Sequence, residues 1–313
     1  MHYLTKKTLI LFLTLLLVSL FTFFAFHIIP GDPARLILGT QATEEKLQVL
    51  RHQLGTDRPL SEQYLSWMGG FLKGDFGNSI RYSMPVKDLI GERLPVTLLL
   101  GMISLALILL ISIPIGIFAA RVKDTFLEQV ISFFTMAGIS TPGFFLSILF
   151  IWIFGLILKV FTPGQYVSFQ TDLSGFLQFM FFPALAIAVP QIATLVKYIR
   201  ASMLDELGRD YVRTAKGKGA SLTSILYSHV FRNAVVSVIP LFGMIVGSIF
   251  SGSIIVEQVF GVPGIGRLLI SSVTGRDFPL TQALVMYIAT IIVITNFVVD
   301  ILIQVIDPRI RLS

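Results

Sequence analysis

The chain has 313 residues, of which 54% are apolar and only 13% charged, and its mean hydropathy is +0.83. Soluble domains carry roughly 25% charged residues, so this composition excludes a water-soluble globule and points to an all-α, polytopic membrane protein. The formal charge of +6 suits the Lys and Arg bias of membrane topology better than nucleic-acid binding, and the lack of cysteine excludes disulfides, zinc fingers, thiol catalysis and iron–sulfur sites.

Six spans are expected in chain order. The first is the 21-residue run Leu9–Ile29, which follows Lys6 and Lys7. It ends in bulky Phe, His and Ile rather than at a small-residue cleavage site, so it reads as an uncleaved helix. The second covers Val96–Ala120. The third tract, about 130–160, would exceed a hydrocarbon core of about 30 Å at about 1.5 Å per residue. It must therefore tilt, kink or begin outside the membrane, and Ser140–Thr141–Pro142–Gly143 supplies the break. The remaining spans are about 176–199, 234–256 and 280–305, and Pro142, Pro183, Pro190 and Pro240 are expected to interrupt three of the six.

With both termini cytoplasmic, short inner segments hold thirteen Lys and Arg, including Lys6, Lys7, Arg121, Lys123, Lys197, Arg200, Arg309 and Arg311, against Lys159, Arg267 and Arg276 in the short outer ones; the 65-residue outer segment at 30–94 carries eight more but is near the length where the bias lapses. The resulting organisation is an N-terminal span at 1–29, an outer segment at 30–94, a five-helix core at 95–306 containing a cytoplasmic loop at 200–233, and a tail at 307–313. The outer segment holds a candidate helix from a Thr43 cap to Gly55 and a second from Ser61 through Trp67. In the second, Leu65, Trp67, Met68, Phe71 and Leu72 suit an interfacial surface. It reads equally as a loop packed on its own bundle or as a platform for an external partner.

No phosphate-cradling loop is present, since Gly217–Lys218–Gly219 lacks the upstream glycine spacing and the following hydroxyl. Acids within the spans are nearly absent, Glu257 and Asp300 falling near span ends, so a proton-driven carrier is disfavoured. His27, also at a span end, reads as a structural donor. Protease motifs and metal-ligand sets are missing, so no catalytic residue and no metal site is assigned. Gly261, Pro263, Gly264 and Gly266 imitate a phosphate loop but read as a turn. Gly243, Gly247 and Ser251 share one helical face at four-residue spacing, suited to close packing within the chain or between subunits. Ser140, Thr141 and Gln191, beside helix breaks, are candidate path-lining groups that packing within the bundle explains equally well.

The stretch from Asp210 to Asn233, DYVRTAKGKGASLTSILYSHVFRN, interrupts the apolar tracts. Leu204, Leu207, Tyr211 and Ala215 form one stripe, with Arg209, Arg213 and Lys216 on another. Gly217 and Gly219 then break the helix, Ser221 caps a new one, and Leu222, Ile225, Leu226 and Val230 form its apolar face. This helix–break–helix unit either obeys the positive-inside rule and touches anionic lipid, or fits a groove on another protein.

The run continuing to VVSVIP resembles the cytoplasmic EAA loop of binding-protein-dependent ABC importers, in the version of the dipeptide, oligopeptide and nickel permease family. Its neighbours agree: FHIIPGDPA at 26–34, LGTDRPLSEQYLSW at 54–67, GDFGNSI at 74–80, LPVTLLL at 94–100, EQVFGVPGIGRLL at 257–269, RDFPL at 276–280 and DPRIR at 307–311. Arg213 and Thr214 replace the Glu and first Ala of the EAA motif, while Ala215 and Gly219 match it. The resemblance implies the type I ABC importer permease fold, in a B-type subunit that is not itself an enzyme. Its implied partners are a second, homologous permease, two cytoplasmic ATPase subunits that bind ATP and Mg, and an extracytoplasmic solute-binding protein. The setting is a bacterial or archaeal cytoplasmic membrane. By the same resemblance, Tyr211–Leu222, including Lys216, Gly217 and Ser221, form the helix seated in an ATPase groove. The expected solute is a di- or oligopeptide, with nickel or a metal chelate as the alternative within the family. A stand-alone channel or secondary carrier is the rival from another class.

Overall fold

The computed structural model describes residues 2–28, 33–38 and 42–306. Residues 29–32 of the FHIIPGDPA motif, the DPRIR tail with Arg309 and Arg311, and the side chain of His27 lie outside that description. The described residues form helices only, apart from one isolated bridge between Asn78 and Pro85. In order they are α1 (His2–Ile28), α2 (Pro33–Leu38), α3 (Glu44–Leu54), α4 (Leu60–Leu72), α5 (Val86–Arg121), α6 (Phe126–Ser140) and α7 (Gly143–Phe150), which runs into a π-helical turn at Ile151–Ile157. Then follow α8 (Leu173–Leu207), α9 (Asp210–Gly217), α10 (Leu222–Ser224) with a π-helical turn at Ile225–Val230, α11 (Phe231–Val238), α12 (Leu241–Phe260), α13 (Ile265–Thr274) and α14 (Phe278–Ile306).

Among the described residues, five helices are long and apolar enough to cross a membrane, and the bent pair α6–α7 with its π-helical turn brings the number to six when counted as one span. The pair turns through 100° between Ser140 and Gly143, where the sequence places its break. The other proline expectations divide. Pro183 and Pro190 lie inside an unbroken α8, as Pro95 and Pro114 do inside α5. Neighbouring helices and side chains can satisfy the carbonyls that each proline leaves free, so a buried transmembrane helix need not break. Pro240 does mark a discontinuity, because α11 ends at Val238 and the fifth span starts at Leu241 rather than Ala234.

Helix α8 is the axis. Of its apolar window 61% is buried within the chain, against 17% for α1 and 11% for α14, which therefore lie at the periphery. The tightest seam joins α8 to α5. Along α5, Leu100, Ser104, Ile108, Ser112 and Gly116 recur every four residues and are all buried. At Gly116 an added Cβ would lie 2.7 Å from Ile199 Cγ2. Small residues let helices approach closely in lipid, where apolar burial alone gives no drive to associate. Within the chain the face of Gly243, Gly247 and Ser251 is packed less tightly than this seam. Gly243 meets Asn296 and Val299 of α14, but Gly247 has open space around it and Ser251 is exposed.

Helices α5 and α8 contain 36 and 35 residues, about 50 Å each at about 1.5 Å per residue. Both outrun the bilayer, at opposite ends of the bundle. The first turns of α5, Val86 to Leu94, therefore continue the span helix and do not belong to a separate loop. There Val86, Leu89 and Ile90 pack with Ile265 and Leu268 of α13 and Leu280 and Leu284 of α14. At the other end α8 passes Ile199 and runs on to Leu207. Peripheral α1 is tied to α14 by Lys7 Nζ and Asp300 Oδ2, 2.6 Å apart.

Helices α3 and α4 form close to the expected places. Thr43 occupies the cap position of α3, but its side chain makes no cap hydrogen bond, and Gly55 ends the helix with φ +70°. Helix α4 begins at Leu60, directly after Pro59, and runs past Trp67 to Leu72.

Candidate functional site

Two clusters of polar side chains stand out, one at each end of the bundle. At the end reached by the C-terminus of α8, the chain turns at Gly208–Arg209 and starts α9 at Asp210. The stripe from Leu204 to Ala215 is thus shared between two helices, because Gly208 ends the first. Tyr211 is partly buried and its hydroxyl donates to Glu206 Oε2 at 2.8 Å. Burial of the ring pushes the phenol above its ordinary value. Val212, Ile225, Leu226 and Val230 are buried in the same core as Met203 and Ile199 of α8. They root the segment in the bundle.

Between these roots the tip is open. Helix α9 ends at Gly217, and Gly219 takes φ +82°, a left-handed conformation in which any side chain is strained. Nothing lies within 4 Å of where a Cβ would stand at Gly217 or Gly219. The Ser221 hydroxyl accepts from Ser224 N and starts α10, as its position predicts. Leu222 differs from expectation. It is 48% exposed, whereas Ile225, Leu226 and Val230 are buried. Leu222 is the first residue of α10, next to the glycine break and at the outer end of the segment, whereas Ile225 and Leu226 lie a turn nearer the core. Arg213, Thr214, Lys216 and Ser221 are exposed, and Ala215 is partly buried. Small residues, cations and one leucine thus project together from a rooted base.

The candidate path-lining residues fall in one region. Both arms of the α6–α7 bend pack on α8. A Cβ on Gly138 would lie 2.8 Å from Ala193 Cβ, and one on Gly143 would lie 3.2 Å from the Ala186 carbonyl oxygen. Gln191 lies between those two contacts, and Ser140 and Thr141 form the bend itself. Thr141 donates to the Ala137 carbonyl at 2.7 Å, so its hydroxyl is engaged locally. Where α6 begins, Glu128 accepts from Arg200 of α8.

The opposite end holds a cluster that the sequence reading passed over. Glu257 is fully buried near the end of α12. Its carboxylate accepts from Thr97 Oγ1 of α5 at 2.7 Å and from the Arg267 backbone N–H at 3.1 Å, while Thr97 accepts from Ile265 N at 2.8 Å. One carboxylate therefore joins α5, α12 and the start of α13. Gly266 is needed here, since a Cβ would stand 2.4 Å from Ile254 Cα. The expected turn at 261–266 is shorter than read, for α13 begins at Ile265. A second carboxylate, Asp277, is also fully buried. It accepts from the Ser79 hydroxyl, from Ile80 N and Arg81 N at 3.2 Å each, and from Leu280 N at 3.3 Å at the start of α14. Acids inside an apolar tract followed by Gly-x-Gly or by a helix start were the available signal.

A family described as "Binding-protein-dependent transport system inner membrane component" matches residues 112–312, and its N-terminal counterpart, "Binding-prot-dependent transport system membrane comp, N-term", matches 1–101. The chain belongs to this family. It is a multi-pass permease subunit of an ABC transport system and catalyses no reaction itself, and such systems include ATPase and binding-protein components. The oligopeptide transport system permease protein AppB of Bacillus subtilis is 35% identical over 312 residues, covering 99% of each chain. A Brucella abortus protein named as a peptide transport system permease is 37% identical over 297 residues, 95% of each chain. For this permease the tip at 208–230, devoid of chemistry yet rooted in α8, is the candidate site of coupling.

Proposed function

We propose that this permease translocates di- or oligopeptides across the bacterial or archaeal cytoplasmic membrane by alternating access, with both termini cytoplasmic. It pairs with a second, homologous permease, and one of the two ATPase subunits receives the tip formed by Tyr211–Leu222 in its groove. One observation carries this reading. An exposed, glycine-broken tip stands on side chains buried against α8, the helix around which the rest of the bundle packs. ATP-driven closure of the ATPase pair moves the tip, α8 follows because Val212, Ile225, Leu226 and Val230 are packed on it, and the α6–α7 bend follows α8. Two discrete packings of these helices then open the path to one side or the other. The names of the relatives support a peptide as solute.

Uptake by the assembled importer in proteoliposomes tests the reading. ATP-dependent uptake of short peptides is expected, requiring the ATPase and binding-protein components. Uptake of nickel or a nickel chelate without peptide uptake would overturn the choice of solute. Uptake by this chain alone would overturn the coupling.

A further inference from the structure

Helix α4 lies outside the spans yet packs low against one of them. Ser19 of α1 is fully buried, and its hydroxyl lies 2.7 Å from the Tyr64 hydroxyl. Phe23 of α1 meets Tyr64 edge-on, with ring centroids 5.4 Å apart, and tilts against Trp67 at 5.9 Å. The candidate span within the described part of α1 covers Thr5–Phe26, 22 residues. At about 1.5 Å per residue that is about 33 Å, which matches a hydrocarbon core of about 30 Å. Ser19 precedes Phe26 by seven residues, so Tyr64 meets α1 about 10 Å inside that end of the run. A helix in contact at this depth lies at the level of acyl chains.

The side-chain pattern of α4 agrees. At about 100° per residue, Tyr64, Trp67 and Phe71 share the face turned to α1. Leu65 and Leu72 fall together about 120° round from it, and Glu62, Gln63 and Ser66 take the remaining arc. Leu65 is 68% exposed and Leu72 78%. On α1, Leu17, Phe21 and Phe24 are exposed as well. On the polar arc, Gln63 donates to the carbonyls of Thr56 at 3.2 Å and Arg58 at 2.8 Å, turning that side toward its own loop.

We propose that α4 is an interfacial helix whose Leu65 and Leu72 are seated in the acyl chains of the leaflet at the Phe26 end of α1. Its partner is lipid. From there Phe71 reaches Phe76, with ring centroids 5.1 Å apart, and the loop after Phe76 is pinned by Asp277. A lipid-seated helix thus braces the loops that carry α13 and α14.

The chain contains no cysteine, so Leu65→Cys, Leu72→Cys and Ser66→Cys each give one labelling site in the full-length permease. Each variant is labelled with bimane in phosphatidylcholine nanodiscs and quenched by nitroxide-labelled phosphatidylcholine or by aqueous iodide. Labels at 65 and 72 are expected to lose emission to the nitroxide lipid and to resist iodide, whereas the label at 66 responds to iodide. Iodide quenching at 65 and 72 with no effect of the nitroxide lipid overturns the proposal. So does shielding of 65 and 72 that appears only when a binding protein is added, which would make the partner a protein.

Discussion

The two ends of the bundle use the same residue types for opposite purposes. Around Glu257 and Asp277 the carboxylates are fully buried, each joins separate helices, and Gly266 is crowded by backbone 2.4 Å from its missing Cβ. Around the tip at 208–230 the charged groups are exposed, their ion pairs Arg209–Glu206 and Arg213–Asp210 are long at 3.8 and 3.6 Å, and Gly219 has open space around it. Buried carboxylates with several donors fix geometry, because leaving any donor unpaired inside the bundle is costly. Exposed pairs in water contribute little and leave the surface free to meet a partner. One end is built to hold its own shape, the other to be received by something else.

Substitutions separate the two ends by size of effect. Glu257→Ala strips the acceptor from Thr97 and the α13 amide, and is expected to destabilise the permease by on the order of 3 kcal/mol. Thermal unfolding in detergent, followed by tryptophan emission, would register this as the largest loss of the set. Gly266→Ala forces Ile254 and Gly266 apart and should cost about 2 kcal/mol in the same assay. At the open end Gly219→Ala adds no contact, so its cost should stay near 1 kcal/mol, from the left-handed backbone alone. Gly217→Ala should change stability by less than about 0.5 kcal/mol. A Gly217 effect as large as that of Gly266 would erase the distinction.

Much of this was legible in the sequence, and the gaps have physical causes. Apolar run lengths gave the spans, and the pairing of Pro142 with Gly143 gave the bend, since the two together free a carbonyl and remove side-chain bulk. Pro183 and Pro190 also lack a donor, but Ala184 and Gln191 follow them in place of glycine, and they sit in the most buried helix, where neighbours hold the backbone. Gly219 and Ser221 were readable because a left-handed residue followed by a cap is a local signal. Glu257 was not, because its meaning depends on Thr97, 160 residues away in the chain. The exposure of Leu222 was not legible either, because periodicity assigns a face of the helix and not how far each residue on that face lies from the core.

The smallest expected effect lies in the short helices at 44–72. A hydrogen bond from His52 holds the Asp57 carboxyl below its ordinary value, with His52 Nδ1 2.8 Å from Asp57 Oδ2. A carboxyl lowered on folding stabilises the fold above the usual carboxylate range, about pH 4, and that contribution fades as pH falls through the lowered value. Amide protection at 51–59, corrected for intrinsic exchange, should therefore weaken in acid, and Asp57→Asn should remove most of that change. Equal pH dependence in the variant would discount the pair.

The central claim is that the tip at 208–230 couples an ATPase to the spans, and Gly219→Trp tests it most directly. Solute uptake and solute-stimulated ATP hydrolysis are measured in the assembled importer. A bulky side chain in the open space at Gly219 is expected to leave the permease folded and in the membrane while abolishing uptake and the stimulation of hydrolysis. Unchanged uptake and stimulation would contradict the account.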